Sequence, residues 1–116
     1  DGIALIKFLP RPSDRIVERE KTPVKMGQPI GIMGYGEAID IMSQFGWVQL
    51  PKDPVRGALL LNAMILPGDS GGAIFNHNGR LVGLTVAVQN STGFSHFGIG
   101  LTIAHINEFL RTHFID

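Results

Sequence analysis

Apolar residues along the chain fall into short runs broken by glycine and proline, and only the final stretch changes that rhythm. Ile3 to Leu9 forms the first run and is closed by Pro10 and Pro12, so a strand is expected there. The stretch PIGIMGYG at 29–36 gives a second short strand ending in a glycine turn. Ile39 to Leu50 and Ala58 to Ile65 are further strand candidates, separated by Pro51 and Pro54. Ala73 to Phe75 and Leu81 to Val88 flank HNG at 77–79, where Asn-Gly tolerates the positive φ angles of a tight hairpin turn. Phe97 to Ile103 is the last expected strand. From there Ile103, Ile106, Phe109, Leu110 and Phe114 recur at three- and four-residue spacings, one apolar stripe of a helix. Six or seven short strands and a terminal helix predict an all-β, antiparallel barrel or sandwich with a C-terminal α-helix.

Composition narrows the function without choosing it. The chain has 116 residues, 44% hydrophobic and 17% charged, enough for one core and one domain or part of one. Ten acidic and ten basic residues cancel, so no net field draws it to nucleic acid or an anionic membrane, and neither is an expected partner. The absence of cysteine excludes disulfides, thiolate metal sites and a cysteine nucleophile. No apolar run approaches the roughly 18 residues of a membrane span. The chain begins with Asp1 and enters an apolar run at once, which reads as a piece of something longer. RPSDRIVEREKTPVK at 11–25 holds five of the ten basic residues and reads as a solvated connector rather than a docking patch.

Chemistry concentrates in Gly68-Asp69-Ser70-Gly71-Gly72. A serine hydroxyl is a weak nucleophile; it needs a base, and the oxyanion it generates needs preorganised donors. Glycines on both sides of Ser70 let the backbone bend so that the N–H groups of Gly68 and Ser70 can converge. The stretch formally fits the G-x-S-x-G elbow of α/β-hydrolases, but that elbow requires a helix immediately after the serine. The pattern after Ser70 is strand, turn, strand, so the elbow fails on context. The glycines at 31, 34 and 36 fit neither G-x-G-x-x-G nor a phosphate loop, and read as a strand-ending turn. No metal or cofactor is expected.

The serine stretch, continued by Asn78-Gly79, Val82-Gly83-Leu84 and Gly98-Ile99-Gly100-Leu101 before the helix, resembles the chymotrypsin/trypsin-like serine peptidase superfamily. Within it, the likeness is greatest to HtrA-like and other bacterial or viral trypsin-like peptidases. Upstream, IGIMGYG at 30–36 resembles the strand that opens the second barrel of that fold, and IALIK at 3–7 the strand following its catalytic aspartate. The resemblance implies a C-terminal peptidase portion: residues 1–9 the last strand of the first barrel, 10–27 a connector, 28–102 the second barrel and 103–115 the helix.

It also implies site residues. Ser70 would be the nucleophile of a serine endopeptidase, with Gly68 and Ser70 N–H groups as the oxyanion hole. Met64, six residues before Ser70, would lie at the base of the primary specificity pocket and favour an apolar substrate side chain. Thr85, Val86, Ala87 and Val88 would pair with substrate backbone. Asp1 either orients the catalytic imidazole, one residue early because Gly2 stands at the expected position, or is only a chain-terminal acid. Asp69, a carboxylate that pairs with a newly cut amino terminus in the trypsin branch, is expected to be solvent-exposed or locally capped.

The base itself is not found. In this superfamily the order is His, Asp, Ser, whereas His77, His96, His105 and His113 all follow Ser70. His77 reads as a turn residue, and His96 as at most a substrate contact. His105 and His113 are eight residues apart, where a shared metal on a helix prefers about four. The expected partners are therefore a protein or peptide substrate, and a segment or chain supplying the first barrel and the histidine. The competing reading is a non-catalytic domain that keeps the fold and serine loop for binding or structure.

Overall fold

The computed structural model describes residues 3–35, 40–63, 65, 68–90 and 96–113. Six strands and one helix follow in order: β1 (Pro29–Gly34), β2 (Met42–Leu50), β3 (Leu59–Asn62), β4 (Ala73–Phe75), β5 (Leu81–Asn90), β6 (His96–Thr102) and α1 (Ile103–Thr112). The strands close into a barrel in the order β1-β2-β3-β6-β5-β4, and every neighbouring pair is antiparallel. Closure gives every strand two neighbours and leaves open edge only where a strand outruns its partner.

The interior is filled by Ile30, Ile32, Val48, Leu59, Leu61, Ile74 and Val82, all buried and mutually packed. Ile30 and Ile32 alternate with exposed Pro29 and Met33, the period-two pattern of a half-buried strand. On β2 the alternation runs against the apolar reading: Phe45 and Trp47 face outward, and Gly46 faces in. A side chain at Gly46 would collide with the carbonyl oxygen of Asn62, so glycine is what lets β2 and β3 close up. Helix α1 starts where Thr102 Oγ1 accepts a 3.1 Å hydrogen bond from His105 N, an N-cap, and buries Ile106. Among the described residues no helix is long and apolar enough to cross a membrane.

Two expectations change. Ile3 to Leu9 lies outside any strand and is largely exposed, because no described strand offers it hydrogen-bond partners. The 11–25 connector is not simply solvated. Glu20 N donates to Leu81 O and Leu81 N to Glu18 O, both at 2.8 Å, a parallel bridge at the start of β5. The Glu20 carboxylate also accepts from Lys21 N at 2.9 Å, Thr22 N at 3.0 Å and Asn76 Nδ2 at 2.8 Å. Arg19 Nη1 donates to Asn107 Oδ1 of α1 at 2.7 Å. Residues 18–22 are thus a strap across β5 and the helix.

Candidate active site

Ser70 is exposed on the loop between β3 and β4. Gly68 at φ +97° and Gly71 at φ +84° take the left-handed conformations this loop needs, which side chains would strain. Three hydrogen bonds then fasten the loop. Gly71 N donates to Thr85 O at 2.6 Å, Thr85 N to Gly72 O at 2.8 Å, and Gly72 N to Asp69 O at 2.9 Å. On its other flank the loop presses against β1: a side chain at Gly72 would collide with Met33 O, and a Cβ at Gly34 would stand 2.6 Å from Asp69 Oδ1. Gly34 was legible only as a turn residue; its role is to admit the Asp69 carboxylate. Asp69 is 1% exposed, so the solvent-exposed alternative is excluded.

Ser70 Oγ donates to the carbonyl oxygen of Val86 at 2.7 Å. Val86 is a bulge. Thr85 pairs with Gly100 and Ala87 with Ile99, leaving Val86 as the extra residue on β5. On the opposite side β4 pairs with β5 only as far as Leu84, so among the described residues β5 has one open edge beyond Thr85. The exposed serine therefore sits against the first carbonyl of that open edge. Neither Gly68 N–H nor Ser70 N–H donates to a backbone carbonyl among the described residues. Nothing in the sequence pattern announced the bulge, because a bulge is a property of the pairing.

The structure brings together Gly68, Ser70, Thr85 and Val86, and carries the backbone of Ala87 and Val88 along the same strand. Asp1 and Met64 lie outside the described residues. His77 is on the β4–β5 loop. His105 is exposed in the first turn of α1, and His113 stacks on Phe109 with ring centroids 4.3 Å apart. Among the described residues no hydrogen bond joins any of these three to Ser70. His96 opens β6, and its side chain is outside the described residues.

Comparison with known proteins gives the same direction. No family model matches the chain. It is 33% identical over 94 residues to the periplasmic pH-dependent serine endoprotease DegQ of Escherichia coli K12, covering 80% of this chain and 20% of that protein. It is 30% identical over 80 residues to the "Probable periplasmic serine endoprotease DegP-like" of Chlamydia trachomatis serovar D, covering 69% of this chain and 16% of that protein. The chain thus spans a fifth or less of the curated relatives it matches. The HtrA-type protease AlgW, solved with a tripeptide, superposes with a TM-score of 0.78 at 17% identity, over 91% of this chain and 38% of that one. The homologues and structural neighbours of this chain are HtrA/DegP-type trypsin-like serine proteases. Its barrel and helix have the fold of the HtrA protease domain.

Proposed function

We propose that this chain is the serine-bearing barrel of a trypsin-like serine endopeptidase, with Ser70 as nucleophile. The observation that carries the reading is the exposed Ser70 hydroxyl, 2.7 Å from Val86 O at the head of an open strand edge. A peptide laid along that edge as an added strand brings its carbonyls past the serine. In the reaction the Ser70 hydroxyl turns from Val86 O to a histidine, gives up its proton there, and attacks the substrate carbonyl carbon. The N–H groups of Gly68 and Ser70 receive the negative oxygen, and the histidine returns the proton to the leaving amine. The freed Val86 carbonyl accepts a substrate N–H.

The histidine belongs to a segment outside these 116 residues, which also supplies the first barrel; Asp1 orients it. The exposure of Ile6 (76%), Phe8 (69%) and Leu9 (90%) supports a covering partner for this arm. Met64 lines the pocket for the side chain preceding the cut bond, and Val86 to Val88 bind the peptide backbone; Thr85, grouped with them on the sequence, has its own N–H and carbonyl taken by Gly72 and Gly71.

A fluorophosphonate, which reacts with activated serines, should label the full-length protein at Ser70, and Ser70→Ala should abolish both labelling and proteolysis. The 116-residue chain alone should label several orders of magnitude more slowly, for want of the base. A folded full-length protein that neither labels nor cleaves would instead be a non-catalytic relative.

A further inference from the structure

The end of the barrel away from Ser70 carries a cavity of its own. Leu59 begins β3 and Val82 lies at the start of β5, whereas the serine loop leaves from the end of β3. Both side chains are only 1% exposed, and they floor a cavity of about 320 Å³. Pro23, Val24, Pro51 and Ile103 wall it, all apolar. Val24 comes from the chain just after the strap, Pro51 from the turn between β2 and β3, and Ile103 from the first residue of α1. Three separate parts of the chain thus converge on one apolar hollow, the usual make-up of a small-molecule site.

The charges around it are of one sign. Lys21 and Lys52 line the cavity, and neither ammonium group pairs with a carboxylate among the described residues. The neighbouring acids are committed elsewhere. Glu20 accepts from Lys21 N, Thr22 N and Asn76, and Asp53 from the Arg56 guanidinium at 2.7 Å. Asn107 gives its side-chain oxygen to Arg19, which leaves its amide N–H groups as donors at the same cavity. Helix α1 opens beside it with no acidic side chain in the first turn, so its partial positive charge adds to the two lysines. An apolar hollow edged by uncompensated positive charge suits a ligand with an apolar tail and an anionic head.

We infer that this cavity binds a medium-chain carboxylate, its tail on Leu59 and Val82 and its head at Lys21, Lys52 and Asn107. At roughly 30 Å³ for each heavy atom, as in liquid water, the space takes about ten of them, the size of octanoate. A neutral tail would fill the hollow and leave both lysines unmet, and a cationic one would be repelled by them. Binding there needs nothing from Ser70, so it stands apart from the peptidase reading.

Octanoate, titrated calorimetrically into the full-length protein below its micellar concentration, should bind at one site. Each buried methylene is worth about fourfold, so hexanoate should bind about fifteenfold more weakly. Octyltrimethylammonium, the same tail with the opposite charge, should bind at least about tenfold more weakly than octanoate. Lys21→Met combined with Lys52→Met keeps the apolar stems and removes both charges. In that variant octanoate should weaken about tenfold, while 1-octanol should bind as it does to the parent. Ala104, at the exposed start of α1, also lines the cavity. Ala104→Leu fills the mouth with a good helix former, and should weaken octanoate at least about tenfold without lowering the thermal midpoint. Octanoate binding that Ala104→Leu and the lysine pair leave unchanged, or that octyltrimethylammonium matches, overturns the site. So does a full-length protein that binds no octanoate, another part of it then covering the cavity.

Discussion

Asp69 carries the sharpest question at the level of single residues. Its carboxylate is buried beside Ser70 and packed where Gly34 lacks a side chain. Burying a charge is costly unless local dipoles or a counter-charge meet it. Local capping asks only for an acceptor oxygen, whereas pairing with a cut amino terminus asks for the charge. We expect local capping. On the proposed peptidase reading, Asp69→Asn in the full-length protein should then stay folded and keep its activity within about tenfold of the parent, since an amide oxygen accepts the same bonds. Activity as low as that of Ser70→Ala, measured on a folded protein, would show that the charge itself orders the loop. The sequence displayed Asp69 and Ser70 openly, because their neighbours are glycines in a recognisable order. It could not display the burial of Asp69, which depends on Gly34, a residue 35 positions earlier in the chain.

Individual elements follow from their residues to the extent that each needs only its own pattern. The strand Ala73–Phe75 and the helix starting at Ile103 were legible to the residue, one from turn punctuation and the other from a change of period. The 18–22 strap was not, because its acids and bases resemble any solvated face until Asn76 and Leu81 are placed beside them. Hydrogen bonding there holds the Glu20 carboxyl below the usual carboxylate range. Thr22 N–H contributes most, partial desolvation opposes it, and Asn76, Lys21 N–H and Arg80 add to it. Asp53, in the turn between β2 and β3, is lowered chiefly by the Arg56 guanidinium, against desolvation and with help from Val55 and Arg56 N–H. A carboxyl depressed in the folded state stabilises above its unfolded pKa, about 4.3 for Glu, and that contribution disappears as pH falls through the folded value. Glu20→Gln should therefore lower the urea midpoint at pH 7, and its midpoint should converge on the parent's as pH drops below about 4.3. A gap between the two curves that stays constant down to the acid limit would mean that the strap is held without the Glu20 charge.

At the scale of the whole molecule, every strand of the barrel is paired on both sides and the amino-terminal arm is unpaired among the described residues. Ile3 to Leu9 has the composition of a strand, but a strand exists only against a partner, and a sequence pattern cannot say whether that partner is near. The exposed leucines, isoleucine and phenylalanine of the arm contrast with the bonded strap that begins at Glu18. Proteolysis reads this boundary directly, since cleavage needs backbone that can leave its contacts. Lys7 and Arg15 lie in exposed, irregular chain; Arg11 is followed by Pro12 and resists trypsin. Arg19 and Lys21 sit within the strap, where backbone bonds to Leu81 and side-chain bonds to Asn76 and Asn107 must open first. Trypsin added to the 116-residue chain should therefore cut after Lys7 and Arg15 well before Arg19 or Lys21, leaving a resistant barrel by mass spectrometry. If the arm is a strand of the proposed first barrel, cleavage after Lys7 in the full-length protein should slow by at least about tenfold while the strap stays protected. Equal cleavage after Lys7 in the two proteins would show that the arm has no covering partner, and would remove its support for a first barrel docked on this face.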